Sequence, residues 1–420
     1  LVLTDMEFTV PLDYARPHGD PIKVFAREVV APDKEHADLP WLVFFQGGPG
    51  FPAPRPDSNS GWLKRALRDY RVLLLDERGT GRSTPLTFQT LAWLGNPQAQ
   101  ADYLKHFRAD NIVRDAEFIR RELLGEKGKW SALGQSFGGF CVTRYLSASP
   151  ESLREAIITG GLPPLDRNAE DIYRRTFPRV AERNRRYYAR YPEDVERAQD
   201  IADYLSRHEV RLPSGGRLTP RRFQQLGMGF GGRTGYESAH YLLEEAFVGG
   251  PRGRELSFTF LRAFETRHSF ETNPIYALLH EAEYCQEAAS NWSAERVRAE
   301  FPEFQLAPGK PVYFTGEMIF PWMFEDYEYL RPLKEAADIL AEYDGWPRLY
   351  DIPTLQANTV PCAAAMYYDD MYVERTFSEE TARNIRGLRV WLTNEYEHDG
   401  LRADGERVLG RMLAMVRGEE

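Results

Sequence analysis

The sequence predicts an α/β fold, with a mostly parallel sheet covered by helices and interrupted in its second half by a large, mainly helical insertion. Three observations carry this. Short, unbroken apolar runs in the first third end in polar or glycine-rich turns, as strands buried on both faces do. Segments of helical periodicity alternate with those runs. From about residue 162 to 350 Arg, Glu and aromatic residues dominate and buried-strand runs almost vanish, until the strand pattern returns at Val360.

Taken in order, residues 22–30 (IKVFAREVV) alternate like a half-buried strand, and Trp41 to Phe45 and Val72 to Leu75 are continuous apolar runs. Gly47 to Pro56, rich in Gly and Pro, forms a loop between them. Asp110 to Leu124 places Ile112, Val113, Ala116, Ile119 and Leu123 at helical spacing. A short run ending at Leu133, a glycine-rich turn and the apolar stretch Phe140 to Leu146 follow. Beyond the insertion, Val360 to Tyr368 and Leu388 to Thr393 read as strands and Ala403 to Val416 as a closing helix. The chain thus divides into a core of residues 1–161 and 351–420 and a helical cap of 162–350.

Composition narrows the function. With 420 residues, 42% hydrophobic and 28% charged, the chain is ordinary globular material rather than a disordered or fibrous one. Its net charge of −10 supplies no basic face for a nucleic acid. No stretch approaches the roughly 20 apolar residues of a membrane span. Leu1 to Pro11 lacks the basic start and apolar stretch of an export signal. Three scattered cysteines (Cys141, Cys285, Cys362) suit neither a disulfide framework nor a zinc site, so a reducing cytoplasm is expected. His280-Glu281-Ala282-Glu283-Tyr284 would need His at 284 to become a zinc-binding H-E-x-x-H pair, and it has Tyr.

The chemistry gathers around Gly134-Gln135-Ser136-Phe137-Gly138-Gly139, a G-x-S-x-G segment between an apolar run and a helical pattern. Small residues two before and two after the serine allow the sharp strand-to-helix turn that lifts a hydroxyl above the sheet edge. A serine needs a base to become nucleophilic. In this arrangement the order is Ser, acid, His, and of eight histidines only His398 lies beyond the insertion. The preceding strand ends in Asp369-Asp370, and alternation lets only one of these neighbours face the histidine. For the oxyanion, the N–H of Phe137 is one donor. Gln46-Gly47-Gly48-Pro49-Gly50 offers the other, with Gly48 first and Gly47 behind it. No metal or cofactor is required.

With these segments together, the chain resembles the prolyl aminopeptidases (proline iminopeptidases) of the α/β-hydrolase fold, in their longer bacterial form. The matching pieces are QGGPG (46–50), DERGTGRS (76–83), GQSFGG (134–139), YYDDMYV (367–373) and EYEHDG (395–400), with NPIYALLHEAEYCQ (273–286) and GEMIFPWMFEDY (316–327) in the cap. One departure is Gln46, where many relatives have His. The resemblance implies an α/β-hydrolase core with an inserted cap, a serine exopeptidase acting on peptides with a free N-terminal proline, Ser136 and His398 in catalysis, and Asp370 rather than Asp369 as the acid. It also implies two cap glutamates that bind the substrate amine. Glu244 and Glu281 match best, with Glu245 and Glu283 as alternatives. Tyr173, Phe137 and the Phe320/Trp322 pair are the aromatic candidates for a proline pocket. The DERGTGRS segment is expected to be a structural loop.

Overall fold

The computed structural model describes residues 1–251 and 253–420. Eight strands form one sheet: β1 (Val2–Pro11), β2 (Pro21–Val30), β3 (Trp41–Phe45), β4 (Arg71–Leu75), β5 (Trp130–Gln135), β6 (Leu153–Thr159), β7 (Cys362–Tyr367) and β8 (Leu388–Thr393). Their order across the sheet is β1-β2-β4-β3-β5-β6-β7-β8. The β1–β2 and β2–β4 pairings are antiparallel, and every pairing from β4 to β8 is parallel.

The unbroken apolar runs are explained by cover on both faces. Along β3, Leu42 and Phe44 face one core with Leu63, Val408, Leu409 and Met412, from the helices Gly61–Ala66 and Gly405–Arg417. Val43 and Phe45 face the other core, with Ile112, Ala116, Phe140 and Cys141 from the helices Ala109–Leu124 and Phe137–Ala148. Both layers exclude water, so neither face of the strand can be polar.

Two strands escape the sequence pattern. β1 (VLTDMEFTVP) is an edge strand with most of its residues exposed or half-exposed, and polar Thr4, Asp5 and Glu7 break its apolar signal. β6 (LREAIIT) is central, but Glu155 lies buried inside it, accepting hydrogen bonds from Ser131 Oγ at 2.8 Å and from Tyr70.

Residues 160–361 connect β6 to β7. They hold the long helix Ala169–Arg190, the helices Asp194–Arg207 and Gly235–Glu244, several shorter turns of helix and a small antiparallel pair, Phe247–Gly250 with Gly253–Leu256. No described helix is long and apolar enough to cross a membrane.

The Asp76–Ser83 segment is held by a buried ion pair. Arg78 donates through Nε and Nη2 to Asp115 at 2.7 and 2.5 Å, and through Nη1 to the carbonyls of Leu12 and His106. Both side chains are essentially sealed from solvent. Replacing Arg78 with Met strands a buried carboxylate, so urea unfolding should show a loss of about 3–5 kcal/mol. A loss below ~1 kcal/mol would mean that the pair does not hold this loop.

Candidate active site

The C-terminal ends of β3, β5, β6, β7 and β8 are neighbours in the sheet, and each supplies one part of the site. Ser136 follows β5 at φ 55°, ψ −127°, a strained backbone for a residue with a Cβ, and the helix Phe137–Ala148 starts directly after it. The glycines around it are required by contact. A Cβ on Gly138 would sit 2.0 Å from the Phe45 carbonyl oxygen, and one on Gly134 2.2 Å from that of Gly138. Ser136 is only partly covered.

Asp370 lies just past β7 and His398 just past β8. Asp370 Oδ1 accepts the backbone N–H groups of Tyr372 (2.9 Å) and Val373 (3.1 Å), which aims Oδ2 at His398 Nδ1, 2.7 Å away. Asp369 turns the other way and pairs with Arg186 at 2.9 Å. The Tyr372 ring stands edge-on to the imidazole, 4.9 Å between centroids. Burial disfavours the charged imidazole, but the Asp370 charge and hydrogen bond, with a further contribution from Glu317, outweigh it and hold the His398 pKa above its usual value.

Ser136 and His398 line one cavity of about 300 Å³ with Gln46, Gly47, Gly48 and Glu317. The two halves meet at the Gly160-Gly161 turn after β6. A Cβ on Gly160 would lie 3.3 Å from His398 Nδ1, and one on Gly161 2.2 Å from the Ser136 carbonyl. No hydrogen bond joins Ser136 Oγ to His398 in this conformation. Such bonds commonly tighten only once substrate is bound. On the opposite wall, a Cβ on Gly47 would come within 2.9 Å of Ser136 Cβ. Phe137 opens its helix, so its N–H has no intrahelical acceptor.

Glu317 brings a carboxylate into this cavity. Tyr276 Oη donates to it at 3.2 Å, and His280 Nε2 stands 3.9 Å from it. His280 Nδ1 lies 3.3 Å from Glu283, whose Oε2 is buried with no hydrogen-bond partner. Neither carboxylate has a Lys or Arg within 4.0 Å among the described residues. Burial pushes the Glu317 pKa up to about 7 and that of Glu283 well above the ordinary range, with Glu317 adding to the latter. Burial also pushes His280 down to about 3, so it is neutral and offers no counter-charge.

A family model described as the alpha/beta hydrolase fold matches residues 40–242. A proline iminopeptidase of Aeromonas sobria is 52% identical over 411 residues, 98% of this chain and 95% of that protein. One of Aspergillus aculeatus is 38% identical over 419 residues, covering 98% and 93%. The chain belongs to the proline iminopeptidase family. A solved proline iminopeptidase structure from Mycobacterium smegmatis is similar at 14% identity with a TM-score of 0.47, covering 99% of this chain and 100% of that one.

Within this family member, the structure brings Ser136, Asp370, His398, Gly47 and Gly48 to one end of the sheet, with Phe137 beginning the adjoining helix. It does not bring Glu244 or Glu281 to the cavity. Glu244 is at the exposed end of its helix, 3.4 Å from His240 and 3.7 Å from Arg197, and its neighbour Glu245 is exposed as well. Glu281 faces backward and accepts the N–H groups of Ser293 (3.1 Å) and Ala294 (2.8 Å), capping the helix Ser293–Arg298. Tyr173, Phe320 and Trp322 are buried in the packed interior without lining the cavity. Its aromatic lining is instead Phe51, Phe270, Tyr276 and Tyr372. Sequence reasoning missed Glu317, although the segment that holds it, GEMIFPWMFEDY, and that of Tyr276 are among those carrying the family resemblance.

Proposed function

We propose that the protein releases N-terminal proline from peptides by acyl transfer to Ser136. His398 takes the hydroxyl proton as Ser136 attacks the prolyl carbonyl, and Asp370 holds the imidazole and stabilises its charged form. The N–H groups of Phe137 and Gly48, with Gly47 beside it, receive the oxyanion. His398 then protonates the leaving amine and activates the water that frees proline. In this reading, residues 162–350 form a cap over a catalytic core of 1–161 and 351–420.

The observation that carries the exopeptidase reading is Glu317, a carboxylate in the cavity of Ser136 with no Lys or Arg partner within 4.0 Å among the described residues. Glu283 stands behind it across His280. A free prolinium nitrogen supplies the missing positive charge, and a charge-assisted hydrogen bond in a poorly hydrated site is strong. The aromatic walls suit a compact, ring-locked residue.

The pH dependence follows. Glu317 must be ionised and His398 neutral, so kcat/KM falls as pH drops through the Glu317 pKa of about 7 and the raised His398 pKa. With both required, the acid limb should approach a slope of two. Glu317→Gln leaves one ionisation and removes a charge that helps raise the His398 pKa. Its limb should have a slope of one and shift to lower pH, and kcat/KM for prolyl-coumarin reporters should fall about 10–100-fold. Hydrolysis of simple acyl esters should fall far less. Equal loss on both substrate types would remove Glu317 from amine recognition and favour a general esterase.

A further inference from the structure

A second cavity, of about 630 Å³, adjoins the first. His398, Tyr372, Arg267 and Arg402 border both, whereas Arg233 lines only the outer one. The charge there runs against the rest of the chain. The protein carries −10 overall, yet the outer cavity holds three arginines against one carboxylate, Asp399.

Among the described residues these arginines are also left without carboxylate partners. Arg267 donates, among the described residues, to neutral acceptors, Ser238 Oγ at 2.9 Å and the Ser238 carbonyl at 2.6 Å. Asp399 Oδ2 takes the backbone N–H of Arg233 at 3.2 Å, not its guanidinium. Among the described residues, no carboxylate lies within 4.0 Å of the Arg233, Arg267 or Arg402 guanidinium. Some exposed arginines elsewhere are ion-paired, as Arg174 is with Glu300 and Arg186 with Asp369, whereas among the described residues others, such as Arg154 and Arg175, are not; what sets the three apart is that they converge on one cavity beside His398.

The direction of the reaction decides what enters this space. The acyl half of the substrate turns toward Glu317 in the inner cavity. The leaving nitrogen must reach His398, which borders both cavities, so the chain beyond that nitrogen extends outward. We propose that the outer cavity binds the leaving peptide and that Arg402 and Arg267 receive its C-terminal carboxylate, selecting short free-acid peptides. This rests on the proline-releasing reading above.

Chain geometry grades the roles. In a Pro-Xaa dipeptide the carboxylate lies within about one Cα spacing, ~3.8 Å, of the scissile bond, at the residues shared by the two cavities. In Pro-Xaa-Xaa it lies about 3.5 Å further out, toward Arg233. Arginine suits the task because its planar fork meets both carboxylate oxygens.

The test compares kcat/KM for Pro-Ala with that for Pro-Ala amide, using a prolyl-coumarin reporter in parallel. The free acid should be favoured about tenfold at low salt, and the ratio should decline as ionic strength rises. In the Arg267→Gln/Arg402→Gln double variant the ratio should collapse toward one, whatever the absolute rate. Arg233→Gln should weaken Pro-Ala-Ala more than Pro-Ala. A wild-type ratio near one at all salt concentrations, with the reporter still cleaved, would overturn this inference alone, as would a ratio that survives in the double variant. The salt series on wild-type protein answers the question even where the double variant fails to fold. Failure to cleave any prolyl substrate would overturn the underlying reading with it.

Discussion

Asp370→Asn should lower kcat/KM for prolyl reporters by about 10⁴, while Asp369→Asn should change it less than about threefold. The two carboxylates are adjacent in sequence and opposite in environment. Asp370 is buried, fixed by two backbone N–H groups and 2.7 Å from the imidazole. An amide in its place can present an N–H to Nδ1, which favours the tautomer with its proton on Nε2, where the base must be free. It also removes the charge that steadies the imidazolium. Asp369 makes a partly exposed pair with Arg186, of a kind worth about 0–1 kcal/mol. Steady-state kinetics on the two variants checks this. Comparable losses in both, or a larger loss in Asp369→Asn, would reverse the assignment.

The second large effect is at Ser136. Ser136→Ala should reduce turnover by about 10⁴–10⁶, and adding His398→Ala should cost little more, because nucleophile and base act as a unit. Stability should stay within about 0.5 kcal/mol of wild type. The Ser136 hydroxyl makes no hydrogen bond among the described residues, and the strained φ of 55° is the same burden for Ala as for Ser. A denaturation curve that overlays wild type, with activity gone, separates chemistry from folding. Additive losses in the double variant would indicate that the two side chains work independently.

How far the sequence reveals such a site depends on what kind of regularity holds each part. β3 and β8 occupy the residues their apolar pattern marks, β3 because it is covered on both faces and β8 because Leu388, Val390, Trp391 and Leu392 keep an apolar run although it is an edge strand. Chain order alone singles out His398, and the strand-to-turn break before Asp369-Asp370 limits the acid to two candidates. β1 and β6 leave weaker traces. One is an exposed edge, and the other buries Glu155, whose partners Ser131 and Tyr70 lie far away in sequence. The residues of the long connection between β6 and β7 are the least legible. Glu281 looks like a free helical glutamate, yet it caps a helix that begins a dozen residues later. Glu317 sits in an irregular segment with no periodicity to mark which way it faces, and only tertiary packing carries it to Ser136.

The most direct measurement is mass spectrometry of the protein treated with an organophosphonate serine inactivator, with and without competing proline. Covalent capture should reach one adduct per chain, on the peptide containing Ser136, with proline slowing it and Asp370→Asn suppressing its rate. Full inactivation with the adduct on another residue, or unchanged labelling of Ser136 in Asp370→Asn, would contradict the account.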